Sequence, residues 1–259
     1  MKNTHAIIIG GTRGLGRVVA KLFANAGAKV SVLGAHEPDP ADHGLQGVTF
    51  FQADIGNRAE AGRSLGEIVS RQGAVNYLVF AQRYRGAKEN SWQGELDLML
   101  TVPKNVLELL SGQFAKQGDR AVVFVSSPAG QFVVPEQDEA YHATRAALGG
   151  MTRWYAARWG GEGIRFNMVT PGAFVRELPG GKTFVPPAAA DYARFVPLGR
   201  MAEATDVAQV VGFLCSEAAG FVNGQEIMVD GGASVLGQEA LAMRFIKEAA
   251  EQPAVKKEK

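Results

Sequence analysis

The apolar residues of this chain alternate between short runs, which predict buried strands, and spaced stripes, which predict helices. The first run is β-branched and ends at Ile9, as expected for a parallel strand buried on both faces. After a Gly-rich turn, apolar side chains recur three and four residues apart, along one face of a helix. They are Leu15, Val18, Val19, Leu22, Phe23 and Ala26. This strand, turn and helix form the first unit of the predicted fold.

The same alternation continues along the chain and predicts an α/β protein. The candidate strands are residues 6–9, 29–33, 49–52, 77–81, 121–126, 165–169 and 226–229, with helical patterns between them. This order predicts one doubly wound parallel sheet of about seven strands, with helices on both faces. Ligands of such sheets bind at the carboxyl ends of the strands. We therefore expect the functional residues to lie there.

Two segments depart from this pattern. Residues 171–198 are rich in Pro, Gly and Ala and are interpreted either as a mobile lid over the substrate or as an ordinary surface loop. Residues 238–259 are interpreted as a C-terminal helix with a charged tail. Residues 1–237 then form a single domain.

Composition narrows the class of protein. A chain of 259 residues with 46% hydrophobic content is long enough to bury a full core. A net charge of +1 gives no reason to expect nucleic acid or an acidic membrane as a partner. Cys215 is the only cysteine and lies in an apolar helical run, so we expect it to pack. With no signal peptide, no bilayer-length apolar run and no metal-ligand spacing, the sequence favours a soluble cytoplasmic protein without a metal.

The Gly-rich turn carries the first candidate chemistry. Gly10 suits a positive φ, Gly14 lets the backbone approach a pyrophosphate, and Gly16 allows the helix to pack closely on the sheet. The N-terminus of the following helix then faces the anion. In this strand, turn and helix setting, the turn predicts nucleotide binding.

Further motifs occur in a characteristic order. They are Asp54-Ile55, Ser127, Tyr141, the stretch 167–172, the segment 197–200, and the closing stretch from Asn223 to Gly232. With these motifs, the chain resembles the classical short-chain dehydrogenase/reductase family from residue 5 to about residue 234. The resemblance implies a Rossmann-type fold, a nicotinamide dinucleotide, a small-molecule carbonyl substrate, and a homodimer or homotetramer.

The choice of cofactor follows from charge. An acidic residue at the end of the second strand would bind a free ribose 2′-hydroxyl, yet no carboxylate occurs there before Glu37. Arg13 stands where NADP-preferring relatives place a basic residue, and His36 is positioned to assist. We therefore expect NADP(H) rather than NAD(H).

The resemblance also assigns a set of cofactor-binding residues. Asp54 is expected to contact the adenine amino group, and Ile55 to contribute its backbone. The full expected set is Gly10, Thr12, Arg13, Gly14, Leu15, Gly16, His36, Asp54, Ile55, Ala81, Tyr141, Arg145, Pro171 and Gly172.

The expected catalytic residues are Ser127, Tyr141 and Arg145. In the family, a serine and a tyrosine bind the substrate carbonyl, and the tyrosine donates a proton to it. Arg145 occupies the position of the family lysine, four residues after Tyr141. It places a fixed positive charge on the same helix face as Tyr141 but does not give up its proton. Met99 occupies the position of the family asparagine.

Three arginines are candidates for substrate binding. Arg83 and Arg85 follow the fourth strand, where the chain lacks the Asn-Asn-Ala-Gly of its relatives, and Arg176 replaces a threonine after Pro171-Gly172. Guanidinium groups bind carboxylate or phosphate in a bidentate way, so convergence of these arginines predicts an anionic or carrier-bound substrate. The alternative is that Arg83 and Arg85 are solvated loop charges.

Three functions remain open. The first is NADP(H)-dependent reduction of a carbonyl, with Ser127 orienting the carbonyl and Tyr141 as the acid. The second is a catalytically silent relative that binds nucleotide or forms a hetero-oligomer. The third is a redox-neutral isomerase or lyase on the same scaffold, with Tyr141 as acid and base.

Overall fold

The computed structural model describes residues 1–38, 40, 45–178, 182–186 and 189–251. The strands are β1 (His5–Ile9), β2 (Lys29–Gly34), β3 (Val48–Gln52), β4 (Tyr77–Phe80), β5 (Ala121–Val125), β6 (Arg165–Pro171), β7 (Phe174–Glu177), β8 (Thr183–Phe184), β9 (Ala202–Glu203) and β10 (Glu226–Val229). The helices are α1 (Gly14–Asn25), α2 (Arg58–Gln72), α3 (Ser91–Leu96), α4 (Val102–Leu109), α5 (Glu139–Trp159), α6 (Ala189–Phe195), α7 (Ala204–Leu214) and α8 (Gln238–Glu251). A π-helical turn, Asp97–Thr101, joins α3 to α4.

The main sheet has seven parallel strands in the order β3-β2-β1-β4-β5-β6-β10. This confirms the predicted doubly wound α/β fold, and each predicted strand is present to within two residues. The strand order reverses between β1 and β4. In doubly wound sheets this reversal opens a crevice at the carboxyl ends of the strands. The Gly-rich turn leaves β1 at that crevice.

The core lies in two layers, one on each face of the sheet, because successive strand residues point to opposite faces. On one face, Ile7 and Ile9 pack with side chains of α2, α4 and α5. On the other face, Ile8 packs with side chains of α1 and α7. Cys215 is fully buried in this second layer, and burial raises the pKa of its thiol, so it packs as an apolar side chain as predicted.

Residues 171–198 contain more regular structure than the sequence indicated. β7 pairs with β8 and with β9 in a second sheet of three strands, and α6 follows. β8 and β9 have two residues each, and such short strands leave no periodic pattern from which this sheet could be predicted. Helix α8 packs on α6 through Phe195 and Phe245, whose ring centroids are 4.9 Å apart. Residues 179–181 and 187–188 of the predicted lid, and residues 252–259 of the predicted tail, lie outside the described residues.

The lengths and apolar character of the helices bear on whether one of them could span a membrane. Within the described ranges, no helix combines the length and the apolar character needed to cross a bilayer.

His5 makes the stability of the fold depend on pH. Its ring is buried, Nδ1 donates to the carbonyl of Gly73 (3.0 Å), and Nε2 lies 2.9 Å from the hydroxyl of Ser31. Burial lowers the pKa of His5, so the unfolded chain binds its proton first as the pH falls. We expect the free energy of unfolding to fall below about pH 6.5, by at most about 1.4 kcal/mol per pH unit.

Urea unfolding at about pH 7.5 and about pH 5.5 measures this loss, because these values lie on either side of the ordinary histidine pKa of about 6.5. A His5→Gln variant should show a smaller difference between the two conditions. The exposed His36 provides the control His36→Gln, which should behave as wild type. If His5→Gln loses as much stability between the two pH values as wild type does, His5 is not the cause of the pH dependence.

Candidate active site

The candidate residues gather at the carboxyl edge of the main sheet. The Gly-rich turn follows β1, His36 follows β2, and Asp54-Ile55 follows β3. Ala81 follows β4, and Ser127 follows β5. β6 ends at Pro171, next to Gly172, whose amide donates to the carbonyl of Val229 on β10 (3.0 Å). Residues separated by more than a hundred positions in sequence therefore share one edge.

The Gly-rich turn presents an uncapped helix end. Gly10 has φ +80°, and a Cβ there would lie 2.7 Å from Cα of Gln82, so the turn lies directly against the chain after β4. Gly14 has φ +55°, and an added Cβ would meet no atom within 4 Å. Arg13 is the N-cap of α1, but no side chain caps this end and its first turn has no acidic residue. The N-cap residue therefore gives the first amides of α1 no side-chain acceptor.

Two buried polar atoms belong to residues that follow β4 and β5, the two strands next to β1 along the sheet. The Oε1 atom of Gln82 and the Oγ atom of Ser126 have no hydrogen-bond partner among the described residues, and each residue is only 8% exposed. Both follow neighbouring strands, β4 and β5, at the carboxyl edge. Buried polar atoms without partners are uncommon in proteins and fit a site that a polar ligand completes. Together with the uncapped α1, they fit a dinucleotide with an anionic pyrophosphate.

The region after β2 and β3 carries the residues expected near the adenosine half of such a ligand. His36 and Asp54 are both exposed, and Oδ1 of Asp54 accepts from the amide of Gly56 (2.9 Å). Thr12 is buried beside Gly34, at the end of β2. The only acidic residue described directly after β2 is Glu37, which is exposed. The first two residues after β2, Ala35 and His36, therefore carry no carboxylate.

The turn that begins at Ser127 packs on α5, the helix that carries Tyr141. Ser127 starts the 3-10 turn Pro128–Gly130, and its Oγ accepts from the amide of Ala129 (3.3 Å). A Cβ at Gly130 would lie 2.9 Å from the carbonyl carbon of Arg145, so this turn rests on α5 one helical turn after Tyr141. Tyr141 itself lies in the first turn of α5, where its amide donates to Asp138 (2.9 Å).

Arg145 lies over the ring of Tyr141 and is paired with a buried carboxylate. Its Cζ atom is 4.1 Å from the centroid of the Tyr141 ring. Its Nη1 donates to Oε2 of Glu95 (3.0 Å) and to the hydroxyl of Thr144 (3.0 Å). The side chains of Arg145 and Glu95 are 3% and 5% exposed. The positive charge of Arg145 is therefore balanced inside the protein. Its expected contact with the cofactor stays a prediction.

Glu95 is a residue of this site that the sequence analysis missed. It lies on α3, one helical turn before Met99, which is buried in the core within the π-helical turn. A carboxylate one turn from a buried methionine shares its helix face, and buried carboxylates are almost always paired. The spacing of four residues between Glu95 and Met99 could therefore have indicated a buried, paired carboxylate at Glu95.

The candidate substrate arginines form one basic cluster with Arg13. Partial removal from water, with the nearby charges of Arg83 and Arg13, holds the pKa of Arg85 below its ordinary value. The same removal from water, with the charges of Arg83 and Arg85, lowers the pKa of Arg176, while Tyr141 acts in the opposite direction. In the part of the chain that the structure describes, none of these four arginines forms an ion pair with a carboxylate. The basic cluster therefore extends from the Gly-rich turn towards Tyr141 and carries uncompensated positive charge.

The loop that holds Arg83 and Arg85 is fixed by the residue between them. The ring of Tyr84 occupies the space that a Cβ at Gly86 or Gly94 would take, at 2.1 Å in each case. Its hydroxyl lies 3.2 Å from the carbonyl of Ala87. Arg83 and Arg85 therefore lie on a loop that packs on α3. Arg176 is held differently, because its Cζ atom lies 4.2 Å from the centroid of the Phe184 ring.

The described residues do not form a cluster that could hold a metal ion. No three His, Cys, Asp or Glu side chains within the described ranges cluster as ligands.

Comparisons with known proteins place this geometry in a family. A family model described as enoyl-(acyl carrier protein) reductase matches residues 10–234. A short-chain type dehydrogenase/reductase of Sinorhizobium fredii is 28% identical, over 90% of this chain and 98% of that protein. The chain belongs to the classical short-chain dehydrogenase/reductase family. As a member it is an oxidoreductase, and the family implies a nicotinamide cofactor.

Other relatives of this short-chain dehydrogenase/reductase have named activities. The 3-oxoacyl-[acyl-carrier-protein] reductase FabG of Staphylococcus epidermidis is 30% identical, over 89% of this chain and 98% of the relative. The D-threitol dehydrogenase of Mycolicibacterium smegmatis is 27% identical, over 89% and 92%. The solved structure of Thermoplasma acidophilum aldohexose dehydrogenase superposes with a TM-score of 0.79 at 24% identity, over 92% of this chain and 96% of that one. This last likeness supports the fold alone.

Proposed function

We propose that this protein is an NADP(H)-dependent reductase that converts a carbonyl to an alcohol on an anionic or carrier-bound substrate. The observation that carries the proposal is the packing of the Ser127 turn on α5 beside Tyr141, at the edge where α1 is uncapped. This arrangement supports a site in which two hydroxyl donors act next to an anionic nucleotide.

Each hydroxyl has a distinct role in this proposal. The bound nicotinamide supplies the hydride that reduces the carbonyl carbon. The Ser127 hydroxyl donates a hydrogen bond to the carbonyl oxygen and orients it. The Tyr141 hydroxyl transfers its proton to that oxygen as negative charge develops there. Arg145 holds the face of the Tyr141 ring, so the hydroxyl has a fixed direction.

The preference for NADP(H) rests on Arg13. Arg13 is an exposed residue of the Gly-rich turn and has no described acidic partner. No carboxylate lies between the end of β2 and the exposed Glu37, so the acidic residue that would bind a free 2′-hydroxyl directly after the strand is missing. A guanidinium binds a 2′-phosphate through charge-assisted hydrogen bonds. His36 is an additional candidate donor.

The anionic character of the substrate rests on the basic cluster. Arg176 interacts electrostatically with both Tyr141 and the Arg83 to Arg85 loop. A carboxylate or phosphate on the substrate would compensate this charge while the carbonyl lies at Tyr141. The relative named as a 3-oxoacyl-[acyl-carrier-protein] reductase makes a β-keto thioester a rational first substrate to assay.

Substitution of the substrate arginines should raise KM for anionic substrates. We expect Arg83→Ala and Arg176→Ala each to raise KM for an oxo acid by about 10 to 100-fold, the effect of losing one charge-assisted hydrogen bond. KM for a neutral ketone should change little. Steady-state oxidation of NADPH measures both constants.

The exposed Arg63 on α2 offers a matched control. Arg63→Ala removes the same charge far from Tyr141 and should leave KM for both substrates unchanged. If Arg83→Ala and Arg176→Ala leave KM for oxo acids at the wild-type value, the anionic substrate is excluded.

We further propose that residues 171–198 form the lid of this site. Arg176, in the first part of the lid, supports this role because it reaches the basic cluster.

We also propose that the protein is a cytoplasmic homodimer or homotetramer. Trp154, on the outer side of α5, is 60% exposed and supports an intersubunit face.

A further inference from the structure

The position of Arg145 is set by a residue outside its own helix. α3 packs on α5, and Glu95 reaches from α3 to the guanidinium of Arg145 at 3.0 Å. Thr144 accepts a second hydrogen bond from the same nitrogen, Nη1, and donates to the carbonyl of Ala140 at 2.9 Å. The guanidinium is thus held on one side by a carboxylate and a hydroxyl, and on its face by the Tyr141 ring.

We propose that Glu95 is a positioning residue for Tyr141, acting by anchoring the Arg145 guanidinium over the face of the Tyr141 ring. This inference rests on the proposed role of Tyr141 as the proton donor. Glu95 has a second effect, which is to cancel the charge of Arg145. The clamp therefore fixes the direction of the Tyr141 hydroxyl without adding net charge beside it.

The chemistry of arginine suits this role. A guanidinium is planar, so it covers an aromatic face and still donates hydrogen bonds from its edge. An ammonium group is a compact point charge without a plane. Both members of the pair are almost fully buried, so solvent does not screen their attraction, and removal of either charge leaves the other uncompensated.

Four variants separate the charge from the clamp. Glu95→Gln keeps the shape but leaves the charge of Arg145 uncompensated. Arg145→Lys keeps the ion pair but loses the plane. Glu95→Gln with Arg145→Gln restores neutrality without the clamp. Asp119→Asn is the control, because Asp119 forms the buried ion pair with Arg165 (2.8 Å) at the opposite edge of the sheet.

The pH profile of kcat, measured together with the Kd for NADPH, is the first readout. We expect Glu95→Gln to move the profile to lower pH, on the order of one pH unit. Arg145→Lys and the double variant should keep the wild-type profile, with kcat lowered about tenfold by the less well held Tyr141 ring. Glu95→Gln and Asp119→Asn should bind NADPH as wild type does, and Asp119→Asn should change neither kcat nor the profile.

A Glu95→Gln profile that coincides with those of wild type and Asp119→Asn would overturn the proposal. A double variant with the kcat of wild type would also overturn it. The double variant buries no lone charge, so it tests the proposal even if Glu95→Gln does not fold.

The test does not depend on turnover. If the wild type reduces no carbonyl, the proposed function fails, and the clamp is then judged from Tyr141 itself. The near-ultraviolet absorbance of tyrosinate is followed against pH in each protein, and the same titration with Tyr141→Phe is subtracted. We expect the Tyr141 signal to emerge at lower pH in Glu95→Gln than in wild type or Asp119→Asn. Superimposable curves would refute the role of Glu95.

Discussion

Replacement of Tyr141 by phenylalanine is expected to lower kcat by about 10³-fold, because it removes the proton donor and leaves the ring in place. The Kd for NADPH should remain at the wild-type value, since the phenyl ring still packs under the Arg145 guanidinium. Steady-state turnover and fluorescence titration measure the two quantities.

Tyr155 provides the matched control for this loss. It lies on the same helix, but its ring is buried in the core and stacks on Phe166 at 5.3 Å. Tyr155→Phe removes one hydroxyl far from the carboxyl edge and should keep kcat. If Tyr141→Phe turns over as fast as Tyr155→Phe, then Tyr141 is not the acid.

Reversal of charge at Arg13 is expected to weaken NADPH binding by about 100-fold or more. Arg13→Glu removes the charge-assisted hydrogen bonds to the 2′-phosphate and adds repulsion in their place. The Kd for NADH should change much less, because NADH carries a hydroxyl at that position. Fluorescence titration with both nucleotides measures the difference.

The same change of net charge at an exposed position on α2 controls for long-range effects. Arg63→Glu should leave both Kd values at the wild-type level, apart from small changes that salt removes. An equal loss of affinity for NADPH and NADH in Arg13→Glu would assign Arg13 to the pyrophosphate instead, and no loss would remove it from the site.

The sheet could be predicted from sequence because its signals are local. Each buried parallel strand is a short apolar run, and the Gly-rich turn carries its positive φ and close packing in its glycines. The alternation of strands and helices then leaves few possible topologies. The pairing of β7 with β8 and β9 was not predictable, because β8 and β9 have only two residues each and leave no periodic pattern.

The candidate site was predictable in its positions but not in its partners. Ser127 and Tyr141 follow from motifs, and the carboxyl edge follows from the fold. The pairing of Arg145 with Glu95 joins two helices that are 50 residues apart in sequence, which no local pattern encodes. It changes the interpretation of Arg145 from a lone charge beside Tyr141 to a neutral clamp on its ring. Likewise, the sequence left open whether Arg83 and Arg85 were solvated charges, and their interaction with Arg176 favours a shared basic cluster.

The central claim is direct transfer of hydride to a substrate carbonyl at Tyr141. We would incubate the protein with NADPH deuterated at the nicotinamide C4 position and with a panel of oxo acids, β-keto thioesters and neutral ketones, and analyse the products by mass spectrometry. The account predicts an alcohol product that carries one deuterium, formed fastest from an anionic substrate and absent with Tyr141→Phe. Tight NADPH binding without deuterium in any product would contradict it and would favour a silent or redox-neutral protein.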